Sequence, residues 1–185
     1  MKYLETIKIV DGHAPYLKYH LKRMQKAAKK DFNFELKAPT EGVYKARVIY
    51  EEEIEKIEYH PYTVPTIKSL QIVRDDTIEY PFKYADRKNI EELMKMKKTS
   101  DDILIIKNKV ITDTSIANIA FYDGSKWLTP QNPLLQGTTR ERLLEEKKIF
   151  AMQLYENDIK NFEKFALMNA MIGFLKIQDG IIHPC

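Results

Sequence analysis

The sequence predicts a mixed α+β / α/β fold in two parts: a small antiparallel α+β domain over 1–79 and a larger, strand-rich, barrel-like domain over 80–185. Three observations carry this expectation. Residues 4–10 alternate in polarity, a helical stripe follows, and a hairpin pattern completes the first part. The stretch Tyr80-Pro81-Phe82-Lys83-Tyr84 then interrupts the pattern. Beyond it, short apolar runs separated by turn signals dominate, as expected of a sheet that curls or closes.

Residues 4–10 read as a strand with Leu4, Thr6 and Lys8 on one face and Glu5, Ile7 and Ile9 on the other. Asp11-Gly12 signals a turn. A helix is predicted over 16–30, with Leu17, Leu21, Met24 and Ala28 as its apolar stripe, widened by Tyr16, His20 and Ala27. Arg23 lies at the border of that stripe and can point along it into a cleft. A strand pair is expected over 43–50 and 54–59, with Glu51-Glu52-Glu53 at its turn, and a further strand over 67–74. After Lys83 come a helix over 88–98 and a buried strand over 103–106. Asn108 and Asp123-Gly124 mark two hairpins built from 110–112, 116–122 and 126–128. Pro130 and Pro133 precede a helix over 137–147; strands over 149–154 and 165–168 flank a helical turn over 159–162.

Hydrophobic residues make up 44% and charged residues 31% of the 185, a balance typical of globular proteins, and the length suffices to bury a core. The net charge of +3 is spread among interleaved lysines and glutamates, so no basic face points to nucleic acid; it suits an anionic small molecule. Cys185 is the only cysteine, which excludes an internal disulfide. No apolar run has signal-peptide or membrane length, so a cytoplasmic protein with no membrane partner is expected.

Five residues could carry chemistry: Arg23, Lys83, Asp113, Thr138 and Thr139. Lys83 stands between two aromatics beside a proline; a lysine in a dry setting loses ammonium solvation and gains nucleophilicity toward an aldehyde. The bland alternative is a snorkelling surface lysine. Asp113 ends a buried strand, where Ser115 and Asn118 could orient it, and a buried carboxylate needs a cationic partner such as a protonated pyridine. The alternatives are a turn or cap aspartate and a structural Asn118 amide. Thr138 and Thr139 open a helix after Gly137, where free amides attract anions; the alternative is a plain N-cap. With Arg23 as a second anion arm, the set meets the needs of pyridoxal 5′-phosphate, and no metal is among the expected cofactors.

The segments Leu4-Glu5-Thr6-Ile7, His20-Leu21-Lys22-Arg23-Met24, Lys83-Tyr84-Ala85-Asp86-Arg87, Ile111 through Ile119, Leu128-Thr129-Pro130, Leu135 through Arg140 and Phe165 through Ala170 fall in one order along nearly the whole chain. In that order they resemble the class IV aminotransferases, the fold-type IV pyridoxal-phosphate enzymes, which include branched-chain and D-amino acid aminotransferases and 4-amino-4-deoxychorismate lyase. The resemblance implies a two-domain D-amino acid aminotransferase-like fold with the cofactor between the domains, and a homodimer. It implies that Lys83 is the Schiff-base lysine and proton shuttle. Arg23, Thr138 and Thr139 would bind phosphate. Asp113 would face the pyridine nitrogen where the family usually has glutamate, with Ser115 and Asn118 beside it. Thr6, Arg47, Asn169 and Ala170 are the substrate-facing candidates. The chain is shorter than the family norm, so part of the usual pocket is missing or rebuilt.

The expected activity is conversion of 4-amino-4-deoxychorismate to 4-aminobenzoate and pyruvate, a step towards folate. The first alternative is transamination of branched-chain or D-amino acids, for which Arg47 and Arg74 could grip a carboxylate. The second is a binding domain without catalysis.

Overall fold

The computed structural model describes residues 1–185, which divide into two compact units. The first comprises Met1–Pro65 and Phe82–Asp86; the second comprises Thr66–Pro81 and Arg87–Cys185. This differs from a single cut after residue 79, because residues 66–79 hydrogen-bond into the second sheet and 82–86 return to the first.

In the first unit, strands β1 (Tyr3–Val10), β2 (Val43–Tyr50) and β3 (Ile54–Pro61) form an antiparallel sheet in that order. The predicted alternation places Glu5, Ile7 and Ile9 inward, all but inaccessible to water. Helix α1 (Leu17–Ala28) is shorter than the predicted 16–30, ending where Lys29 turns left-handed at φ 58°. It buries Tyr19, His20, Met24 and Ala27; Tyr16 is exposed, so the stripe is rotated toward Tyr19. The coil at 31–42 lays Phe32, Phe34 and Leu36 on the same core. The returning segment lies along the β1 edge: the Leu4 amide donates to the Lys83 carbonyl over 2.8 Å and the Ala85 amide to the Lys2 carbonyl over 2.9 Å.

In the second unit, β4 (Ser69–Arg74), β5 (Asp102–Lys107), β6 (Val110–Thr114), β7 (Asn118–Tyr122), β10 (Lys164–Asn169), β11 (Gly173–Ile177) and β12 (Ile181–His183) make one strand path in the order β11-β10-β7-β6-β5-β4-β12. A branch carries β8 (Trp127–Pro130) on β7 and β9 (Phe150–Met152) on β8. Helices α2 (Lys88–Met94) and α3 (Thr138–Glu145) and a 3-10 turn (Glu156–Asn161) complete it. The core is aliphatic, with Leu70, Leu104, Ile106, Ile111, Ile119 and Leu167 fully buried. Strand β5 is buried from Asp102 to Ile106, in keeping with its continuous apolar run.

The hairpin turn at Asn108 is confirmed by left-handed φ values at Asn108 and Lys109, a type I′ signature. Strands β11 and β12 were not predicted, and β9 covers three residues rather than 149–154. Strand β7 pairs with β10 along its length on one side. On the other, β6 meets only its first residue, at Asp113↔Asn118, and β8 meets its end, at Phe121↔Leu128 and Tyr122↔Trp127. The sheet therefore forks at Asn118. No helix is long and apolar enough to cross a membrane.

Candidate active site

Each unit carries part of the predicted set. In the first, Lys83 stands at the centre of a three-residue turn closed by the Tyr84 amide on the Phe82 carbonyl, over 3.0 Å. Its own carbonyl is fastened to β1, and the side chain is half-buried. The rings of Tyr3, Phe82 and Tyr84 cluster within 6.2 Å of one another. Phe82 and Tyr84, the sequence neighbours of Lys83, thus pack with Tyr3 in one aromatic cluster.

Arg23 lies on α1 and is engaged by a residue the sequence reading left without a role. Its Nε donates to Glu5 Oε1 over 2.8 Å and its terminal nitrogen to Glu5 Oε2 over 2.6 Å, a bidentate pair. His20 Nδ1 meets the same Oε2 at 2.6 Å. Glu5 is wholly buried, His20 nearly so, and the Arg23 side chain is 13% exposed. Burial would push the Glu5 carboxyl up; the charge and hydrogen bonds of Arg23, with those of His20, outweigh it and hold the pKa at about 2. A signal for Glu5 was present: alternation puts a carboxylate on the apolar face, and i,i+3 spacing puts His20 and Arg23 on one side of a helix. Thr6 and Arg47 sit directly opposite each other across β1 and β2. Arg47 pairs with Glu58 at 3.3 Å on a partly exposed face.

In the second unit, Asp113 and Asn118 flank the 114–117 turn, which the Thr114 hydroxyl closes by bonding to both the carbonyl and the amide of Ala117. Asn118 Nδ2 donates to Asp113 Oδ1 over 2.7 Å and to the Leu135 carbonyl over 2.8 Å, and the Leu135 amide donates to Asp113 Oδ2 over 2.9 Å. The two side chains thereby hold both backbone groups of one residue in the loop that enters α3. The structural reading of the Asn118 amide is realised here. Asp113 keeps a lone pair on each oxygen for a further donor. Burial pushes its pKa up to about 7, against the opposing hydrogen bonds of Leu135 and Asn118 and the charge of Arg140.

Ser115 bears on Asp102 instead: burial raises the pKa of that carboxyl and Ser115 opposes the rise, while the Ser115 carbonyl accepts from Arg87 over 2.6 Å. Asn169 shapes the β10–β11 turn. Its Oδ1 accepts from the amides of Met171 and Ile172, and its Nδ2 reaches the Ile116 carbonyl over 3.1 Å. The structure thus joins the Asn169-Ala170 turn to the 114–117 turn.

The N-cap of α3 is Gly137, in extended conformation, and no side chain caps the helix. Thr138 and Thr139 are its first two residues, both buried, so neither is the plain N-cap of the alternative reading. A Cβ on Gly137 would collide with Asn118 Oδ1, so the chain passes against that amide only because glycine has no side chain. Uncapped first-turn amides at the positive end of the helix dipole, with two hydroxyls beside them, fit a phosphate group. A buried acid able to accept one more hydrogen bond fits a ring nitrogen, and a half-buried amine fits an aldehyde.

Residues 81–179 match the model of the amino-transferase class IV family, more than half of the chain. The chain belongs to this family. A protein of Haemophilus influenzae, itself uncharacterized, is 37% identical over 182 residues, covering 91% of this chain and 97% of its own. A crystal structure from Haemophilus somnus, provisionally named 4-amino-4-deoxychorismate lyase, is 33% identical and superposes with a TM-score of 0.86, covering 93% of this chain and 97% of its own. A more distant structure is that of a hypothetical aminotransferase of Mycobacterium tuberculosis in a PLP-bound form, 17% identical, covering 97% of this chain and 81% of its own, with a TM-score of 0.75. The family match spans Lys83, Asp113, Asn118 and Gly137 through Arg140, and covers every site position of the second unit.

Proposed function

We propose that the chain is a pyridoxal-phosphate-dependent lyase that converts 4-amino-4-deoxychorismate to 4-aminobenzoate and pyruvate. The observation that carries this reading is the lock of Asp113 and Asn118 on Leu135, which presents a buried acid and the uncapped start of α3 from one short loop. The Haemophilus somnus relative supports the choice of reaction, since its provisional name is that of the lyase.

Bound pyridoxal phosphate supplies an aldehyde that takes up the substrate amine and a ring that accepts electrons. The residues of this chain do the rest. The first amides of α3, with the Thr138 and Thr139 hydroxyls, bind the phosphate. Arg23, aimed by its two-point contact with Glu5, is the second phosphate arm. Asp113, ionised, keeps a proton on the ring nitrogen, so that electron acceptance is favoured. The Lys83 amine removes the proton from the amine-bearing carbon of the substrate and holds it for return. Loss of the enolpyruvyl group as pyruvate leaves an aromatic ring, which supplies the driving force. The protein therefore has to bind, orient and move one proton.

The test is pyruvate release from 4-amino-4-deoxychorismate by protein loaded with pyridoxal phosphate and given no keto acid. Release that disappears in Lys83→Ala is expected. Turnover that needs a keto acid plus an amino donor would assign transamination instead. A protein that takes up no cofactor would be a binding domain.

A further inference from the structure

Of all the lysines and arginines in the chain, only Arg140 is buried, with 5% of its surface exposed. It is the third residue of α3, in the first turn, where the helix dipole disfavours a cation. Its hydrogen-bond acceptors are all neutral: Gln136 Oε1 at 3.0 Å, the Pro130 carbonyl at 2.8 Å and the Gln131 carbonyl at 3.5 Å. Its Nε has no hydrogen-bond partner at all. A guanidinium removed from water, placed at the unfavourable end of a helix and bonded only to neutral groups needs a counter-charge. Asp113 supplies it, as the one charged group acting on Arg140.

The same side chain spans the 130–136 loop from end to end, holding Pro130 with one nitrogen and Gln136 with another. That loop carries Leu135, whose amide sits on Asp113 Oδ2. The groups that bear on Asp113 are therefore few: the Asn118 amide from β7, the Leu134 and Leu135 amides from the loop, and the charge of Arg140 from α3.

We propose that Arg140 is the positioning residue for Asp113: its fork closes the 130–136 loop so that Leu135 stays on the carboxylate, and its charge keeps that carboxylate ionised. This deepens the reading of the site under which an ionised Asp113 has a task, but it concerns the chain alone. Geometry and charge are separable, because lysine keeps the charge and loses the planar two-point fork.

The experiment is titration of the Asp113 carboxyl in cofactor-free protein by ¹³C NMR of labelled aspartates, with Asp113→Asn to assign the signal. The wild-type midpoint is expected near pH 7. Arg140→Met is expected to raise it by about one unit or more, the size of effect an opposite charge has on a nearby carboxyl. Arg140→Lys is expected to stay within about half a unit of wild type while melting at a lower temperature. An unchanged midpoint in Arg140→Met, or an equal rise in both variants, overturns the proposal. Should Arg140→Met not fold, the lysine variant decides alone: a rise of about one unit despite the retained charge contradicts the assignment. The titration needs no cofactor, so a failed lyase assay leaves it standing and the reverse also holds.

Discussion

Asn118 donates to Asp113 across the β6–β7 turn over 2.7 Å, and both side chains then close on Leu135, one on its carbonyl and one on its amide. A carboxylate that titrates and an amide that does not are thereby tied to the entry of the same helix. The ionisation of Asp113 and the order of the 130–136 loop are linked.

The first consequence is a pH dependence. The Asp113 carboxyl titrates near 7 in the fold against 3.8 as its ordinary value. A raised carboxyl pKa means the native state holds the proton longer than the unfolded state. The penalty is absent below about pH 4, grows as pH rises, and is complete above about 7. A rise of about three pH units is on the order of 4 kcal/mol. Urea unfolding of the cofactor-free protein between pH 4 and 8 is expected to show wild type losing stability relative to Asp113→Asn as the pH is raised. A difference that does not change with pH would contradict this.

Glu5 behaves in the opposite sense. Its folded pKa of about 2 lies below the ordinary 4.5, so its contribution is fully present above about pH 4.5 and is lost as pH falls through 2. Glu5→Gln removes the buried anion that Arg23 and His20 share, and breaking a buried pair costs about 3–5 kcal/mol. The expected readout is a lower urea midpoint at pH 7 and a weaker response of stability to acid than wild type.

Gly137→Ala probes the close approach at the fork. The added methyl would drive into Asn118 Oδ1, and that amide is braced on two partners and has little room to yield. A loss of about 1–3 kcal/mol is expected, the usual cost of overpacking. A melting temperature equal to wild type would show that the loop gives way freely.

Much of this was legible in the sequence for physical reasons. The alternation of Glu5, Ile7 and Ile9 gave β1 and its inward face, because one side of that sheet is buried and the other is not. The Asp113-x4-Asn118 spacing was visible as a pair of polar residues in apolar surroundings, though only the fold set them in direct register. Strand β12 escaped because its parallel pairing with β4 is fixed by tertiary context, and β11 because Phe174 and Leu175 are only half-buried. Ser115 was expected to orient Asp113, yet it faces Asp102, whose burial no local pattern announces. Arg140 received no role from the sequence, although a cation in the first helical turn runs against the dipole and was itself the clue.

The Lys83 backbone is held by its neighbours: the turn places it, β1 fixes its carbonyl, and the flanking Phe82 and Tyr84 rings pack with Tyr3. Substituting it should remove chemistry and leave the fold. Lys83→Ala is expected to melt within about 1 kcal/mol of wild type, since the lysine is half-buried, while pyruvate release disappears. Circular dichroism melts and the pyruvate assay on the same sample check both halves.

The most direct test of the central claim is borohydride treatment of the protein after incubation with pyridoxal phosphate, followed by peptide mapping. The account requires a single pyridoxyl label on Lys83. A label fixed on another lysine, or no label with the protein folded, would contradict it.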